Sequence, residues 1–148
     1  MSTIYLDTNV FIAAFETTGT LSEAAWDILH AVTSGDLHAS TSELTLAELL
    51  VKPLRLGSDL MVELYTGLIT TGGSLSVLPV DRAVLVRSAQ IRKSQLGVKL
   101  PDAIHLATAL GTGCSCFVTD DRRLKPLPSL PAIALAPDTF AKIEDLLR

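Results

Sequence analysis

An α/β/α sandwich built on a parallel sheet is the fold class this sequence predicts, and three observations predict it. Short β-like runs alternate with longer helical stretches throughout the 148-residue chain, the rhythm that places a parallel sheet between two helical layers. No linker-like stretch divides the chain, and with 48% apolar residues a protein of this size makes one domain with a substantial core rather than two domains. Residues 1–148 therefore read as a single domain. Acidic residues also follow β-like runs, at the carboxyl edge of the expected sheet, where open α/β sheets bind their ligands.

Taken in order, Thr3–Leu6 is the first strand, and Asp7 stops it before the helical stretch Val10–Phe15. A charge held between two segments that favour burial has a simple explanation, since Asp is a good helix N-cap. A second helix spans Leu21–Ser34 and a second strand Leu37–Ser40. Ser40 and Glu43 have the spacing of a capping box that opens a helix over Glu43–Val51, with Pro53 as its stop. Helix Asp59–Thr71 ends at Gly72-Gly73, and a third strand covers Leu75–Pro79. Helix Arg82–Gln95 ends before Gly97, and Pro101 takes the first helical position of Asp102–Leu110. Strand Cys116–Thr119, strand Ala132–Leu135 and helix Asp138–Leu147 complete the series.

Composition excludes several classes. A net charge of −4 argues against a broadly basic nucleic-acid coat, while leaving room for a local basic rim. The opening Met1-Ser2-Thr3-Ile4 lacks the basic and apolar regions of a signal peptide, and no apolar stretch is long enough to span a bilayer, so a cytoplasmic protein without a membrane segment is expected. Cys114 and Cys116, one residue apart, suit neither a zinc half-site nor a disulfide, and read as reduced, buried thiols.

The acids carry the chemistry. Glu48 stands alone in the apolar run Leu46–Leu50, where a solvated face would show more polar residues, although Thr45 and Glu48 also have capping spacing. Asp102, just after Pro101, falls in a first helical turn beside the positive end of the helix dipole. Asp120 and Asp121 follow the strand Cys116–Thr119. Each has an ordinary structural explanation by itself.

Together they have a more specific one. The segments YLDTNVFIAAF, SELTLAELL, LPDAIHLATAL and FVTDDRRL resemble, in order and spacing, the successive motifs of PIN-domain proteins, and most of all those of VapC-type ribonuclease toxins of toxin–antitoxin pairs. The likeness covers nearly the whole chain, and KPLRLG, Lys52 to Gly57, resembles a segment that follows the glutamate motif in this group. Position by position, the family's acids match Asp7, Glu48 and Asp102. Its last motif places Thr119 and Asp121 on the pattern with Asp120 in the variable place, so Asp121 is favoured as the fourth acid with Asp120 as the alternative. The resemblance implies a five-stranded parallel sheet flanked by helices, a divalent-metal-dependent endoribonuclease, a homodimer, and inhibition by a small antitoxin protein.

Four converging carboxylates must protonate or share a cation, because at about 4 Å and an effective dielectric near 20 each like-charged pair costs on the order of 4 kcal/mol. Oxygen ligands without His or Cys select a hard ion, Mg²⁺ or Mn²⁺. Asp7 and Asp102 are the expected principal ligands, with Glu48 and Asp121 holding ligand waters or a second ion, and Thr8, Asn9 and Thr119 donating hydrogen bonds to the ligands. Asn9 also reads as a helix cap. Arg92, Lys93 and Lys99 before the third motif, and Arg122, Arg123 and Lys125 after the fourth, are candidate contacts to RNA phosphates, Arg122 and Arg123 foremost. His105 reads as a structural, hydrogen-bonding histidine near Asp102 without a metal role. The apolar stretches Leu54–Leu56 and Leu60–Leu68 suit either the core or a dimer or antitoxin surface, and the core is preferred.

Rival folds fail locally. A haloacid-dehalogenase-type phosphatase needs a second acid two residues after the first, where Asn9 stands, and a receiver domain needs an acid pair near the first strand. The alternative of another class is a PIN-fold binding module with weak or lost nuclease activity, against which the intact acids count.

Overall fold

Residues 2–148 are described by a computed structural model. The chain runs β1 (Thr3–Leu6), α1 (Thr8–Glu16), α2 (Thr20–Ser34), β2 (His38–Ser42), α3 (Glu43–Leu56), α4 (Asp59–Leu68), β3 (Leu75–Leu78), α5 (Arg82–Ser94), α6 (Leu100–Gly111), β4 (Cys116–Thr119), β5 (Ala132–Ala134) and α7 (Thr139–Leu147). All five strands are parallel, in the order β3-β2-β1-β4-β5. The expected α/β/α architecture with a five-stranded parallel sheet is therefore the one observed.

Strand alternation builds the two cores. Ile4 and Leu6 of β1 and Cys116 and Val118 of β4 face one side, where they pack with α1, α2, α4 and α7. Tyr5 and Phe117 face the other, against Val84 and Ile91 of α5 and the apolar length of α6. Both faces of the central strands are buried, which explains why these segments read as continuous apolar runs rather than as alternating ones. Cys114 and Cys116 are both buried free thiols, as composition indicates.

Several local expectations are corrected. Ser40 lies inside β2, paired with Tyr5, so it cannot cap a helix. Ser42 does so instead, its hydroxyl accepting from Leu44 N–H at 3.0 Å. Pro53 does not stop α3; the helix runs on to Leu56 and closes at Gly57, whose left-handed φ of 66° only glycine adopts readily. Pro101 is the second residue of α6, after Leu100. Asp59–Thr71 ends as a helix at Leu68. The apolar stretches Leu54–Leu56 and Leu60–Leu68 contribute less to the core than expected: Leu54, Leu56 and Leu60 are 63%, 71% and 75% exposed, whereas Tyr65 is fully buried. Among the described residues no helix is long and apolar enough to cross a membrane.

Two substitutions separate core from surface. Phe117→Ala, at a fully buried ring stacked on Tyr5, is expected to lower unfolding free energy by about 3–5 kcal/mol in urea titrations followed by circular dichroism. Leu60→Ser should stay within about 0.5 kcal/mol of the parent.

Candidate active site

Strand order reverses direction at β1: the chain moves outward through β2 and β3, then returns to place β4 and β5 on the other side. A crevice opens at such a switch point, between the carboxyl ends of β1 and β4. Asp7 lies immediately beyond β1, and Asp120 and Asp121 immediately beyond β4.

Asp7 caps α1 and also belongs to this crevice. Its extended backbone, φ −68° and ψ 155°, lets Oδ1 accept from Thr8 N–H at 2.8 Å. Oδ2 accepts from Thr119 Oγ1 at 2.8 Å and from Asn9 Nδ2 at 3.2 Å. Burial pushes its carboxyl above the usual range; His105 and the hydrogen bonds from Thr119 and Thr8 oppose the shift, and the charge of Glu48 adds to it. Asn9 does not cap the helix. Its Nδ2 also donates to Thr119 Oγ1 at 3.0 Å, and its Oδ1 accepts from Asp120 N–H at 2.9 Å, so it ties the loop after β4 to the end of β1. Thr119 completes the tie by accepting from Asp121 N–H at 3.0 Å.

Glu48 reaches the crevice from the middle of α3. Its Oε1 accepts from Thr8 Oγ1 at 2.9 Å and from His105 Nε2 at 2.6 Å. Partial burial would raise its carboxyl, yet the hydrogen bond and electrostatic pull of His105 and the Thr8 hydroxyl outweigh burial and hold it below the usual range. Thr8 lies 3.1 Å from Thr45, Thr45 2.8 Å from Thr41, and Thr41 donates to Leu6 carbonyl at 2.8 Å. A string of buried hydroxyls thus moors α3 to β1.

Asp102 sits in the first turn of α6. Burial raises its carboxyl, the charges of Asp7 and Asp121 raise it further, and His105 only partly offsets them. Four acids from four separate segments therefore share one electrostatic field. Asp121 rather than Asp120 acts on Asp102, and lines a groove of about 570 Å³ with it, together with Lys99, Arg123 and Lys125. Asp120 faces a shallower recess beside Asn9 and Arg122.

The basic residues divide. Arg123 donates from its backbone N–H and from Nε to Asp121 Oδ1, at 3.0 and 3.3 Å, with its side chain 91% exposed. Arg122 donates to Leu135 carbonyl at 3.4 Å. Arg92 is exposed, and its Nε donates to Val98 carbonyl at 3.1 Å, bracing the turn after α5. Lys93, in the last turn of α5, is exposed and does not line the groove.

His105 is a buried, hydrogen-bonded histidine that also acts on Asp102, as its sequence position indicates. Its hydrogen-bonding partners, Tyr5, Glu48 and Thr8, are what no spacing along the chain could supply.

The donor set suits a hard divalent cation, since it offers carboxylate oxygens whose mutual repulsion a cation relieves. As the side chains stand, no three His, Cys, Asp or Glu among the described residues form a ready-made cage.

A doubly covered parallel sheet with acids at its switch point defines a class of α/β proteins with a polar centre at the carboxyl edge of the strands. The PIN domain family profile matches residues 4–129, and the chain belongs to the PIN domain family. Solved structures with the same fold include a toxin–antitoxin complex from Klebsiella pneumoniae, 20% identical with a TM-score of 0.65 over 88% of this chain and 96% of that one. They also include VapBC2 from Rickettsia felis bound to a promoter DNA fragment, 14% identical with a TM-score of 0.67 over 89% and 98%. VapC20 from Mycobacterium tuberculosis, described as a sarcin-ricin loop cleaving toxin, is 14% identical with a TM-score of 0.61 over 77% and 86%. No curated protein matches the sequence.

The raised carboxyl of Asp102 has a stability consequence. A group whose pKa rises on folding stabilises the native state at low pH, and that contribution is lost as pH climbs through the raised value. Asp102→Asn should therefore raise the melting temperature of chelator-treated protein at pH 7 by about 2–4 °C, on the order of 1 kcal/mol for a half-buried group. Calorimetry showing a lower melting temperature would contradict the repulsion described above.

Proposed function

We propose that the protein is a Mg²⁺- or Mn²⁺-dependent endoribonuclease that hydrolyses RNA phosphodiester bonds and acts as the toxin of a toxin–antitoxin pair. One observation carries this reading: at the switch point His105 Nε2 lies 2.6 Å from Glu48 Oε1 and 3.8 Å from Asp7 Oδ1, and Asp102 and Asp121 line one groove close enough for all of these charges to act on Asp102. Membership of the PIN domain family and the fold shared with toxin–antitoxin proteins support it.

Asp7 and Asp102 are the residues assigned to hold the ion, with Glu48 and Asp121 holding its waters or a second ion. When bound, the cation supplies Lewis acidity and a water of lowered pKa for in-line attack on phosphorus. The chain's own residues do the rest. Thr119, Asn9 and the Thr8 backbone N–H hold both oxygens of Asp7 in place. Arg123, Lys99 and Lys125, along the groove beside Asp102 and Asp121, offer positive charge to the RNA backbone and so draw the scissile phosphate toward the acids. Arg122 stands at the adjoining recess and serves a neighbouring phosphate, and the exposed Arg92, bonded to Val98 of the groove, offers a further contact.

The exposed apolar side chains Val51, Leu54, Leu56 and Leu60 on α3 and α4 provide a surface for protein partners, an antitoxin or a second copy of the chain.

Asp7→Asn and Asp102→Asn should each reduce cleavage of RNA by at least about a hundredfold, while circular dichroism remains that of the parent. EDTA should abolish cleavage, and Mg²⁺ or Mn²⁺ should restore it. Growth arrest on expression, relieved by either substitution, separates a toxin from a binding module. Normal cleavage by both variants would end this assignment.

A further inference from the structure

Below the acids lies a polar pair that neither core packing nor the four carboxylates require. Tyr5 and His105 are almost wholly buried, at 0% and 1% exposure. The Tyr5 hydroxyl lies 2.7 Å from His105 Nδ1. His105 Nε2 lies 2.6 Å from Glu48 Oε1, 3.2 Å from Thr8 Oγ1 and 3.8 Å from Asp7 Oδ1. Both rings are clamped: Tyr5 stacks on Phe117 with centroids 5.1 Å apart and planes within 10°, and meets the imidazole edge-on at 5.8 Å.

Donor and acceptor roles follow from the partners. A carboxylate only accepts, so Nε2 carries the proton that faces Glu48. A neutral ring then leaves Nδ1 as an acceptor, and the Tyr5 O–H fills it. The chain Tyr5 O–H to His105 Nδ1, then His105 Nε2–H to Glu48 Oε1, therefore runs in one direction and fixes the imidazole by its tautomer as well as by packing. Because α6 carries both His105 and Asp102, and β1 carries Tyr5 directly before Leu6 and Asp7, the pair joins the three elements that present Asp7, Glu48 and Asp102.

We propose that Tyr5 and His105 are positioning residues for divalent-cation binding, which hold Glu48 through Oε1 and leave Oε2 to face the ion or its water. This rests on the metal-dependent reading above. Glu48 has long side-chain freedom and its carboxylate is partly exposed, so without the imidazole only the Thr8 hydroxyl would hold it from swinging toward solvent. A merely structural pair would affect folding alone, whereas a positioning pair must affect the metal through Glu48.

The test is calorimetric titration of the full chain with MnCl₂ in the absence of RNA, alongside thermal melting. His105→Leu should weaken Mn²⁺ binding by about 10–100-fold. His105→Gln, which keeps an amide N–H within reach of Glu48, should restore most of that loss. Tyr5→Phe should weaken binding by about 3–10-fold, and should add nothing when Glu48→Gln is already present, since both act through the same carboxylate. Should His105→Leu fail to fold, the Tyr5→Phe and Glu48→Gln cycle decides. Unchanged Mn²⁺ affinity in Tyr5→Phe, or an equal loss with and without the Glu48 carboxylate, overturns the proposal. A parent chain that binds no Mn²⁺ would bring down the ribonuclease reading itself, and is distinguishable from both.

Discussion

Repulsion among like charges at the edge of a parallel sheet is the constraint around which this molecule is organised. An ordinary domain would disperse Asp7, Glu48, Asp102 and Asp121; here the topology forces them together, and nearby groups moderate the cost unevenly. Asp7 is buried and bonded through both oxygens, to Thr8, Thr119 and Asn9. Glu48 has His105 and Thr8. Asp121 has Arg123. Asp102 is left with little beyond the dipole of its helix, and its raised carboxyl registers the remainder. The centre therefore has a rigid half, Asp7 and Glu48, and a half that faces the groove, Asp102 and Asp121.

The fold supplies this arrangement because parallel strands deliver all their following loops to one edge. Between the central strands, β1 and β4, one edge gathers the Asp7 cap, the Asn9 tie and the Thr119 bridge, none of which involves a long loop. Short connections hold the acids to the backbone of the sheet, and the two cores on either side hold the sheet. Tyr5 belongs to both systems: its ring is core and its hydroxyl is part of the polar network beneath the acids.

Much of this was legible from residues alone. Alternating apolar runs gave all five strands and seven helices to within a few residues, because both faces of a doubly covered sheet exclude water and demand apolar side chains. Asp7 and Asp121 were legible as strand-following residues, Asp102 as a first-turn residue and Glu48 as a lone acid in an apolar run, and all four through likeness to ordered motifs. Ser40 and Pro53 misled, for one reason: capping and stopping rules are local, whereas pairing of Ser40 with Tyr5 and continuation of α3 to Gly57 depend on neighbours remote in sequence. The apolar residues Leu54 and Leu60 misled as well, because an apolar helix face does not record whether it turns to the core or to solvent.

By itself, the sequence determined the layers of this protein and the chemical kind of its centre, since hydrophobic periodicity and the oxygen-rich acid set are properties of residue type and spacing. Only the tertiary structure decided which partners those acids have. It put Asp121 rather than Asp120 in the groove, turned Asn9 from cap to tie, tied Arg92 to the Val98 carbonyl and placed His105 against Glu48, 57 positions away. Hydrogen bonds and charge coupling act over a few ångströms, and the distances between remote segments are fixed by how helices dock on the sheet rather than by any spacing along the chain.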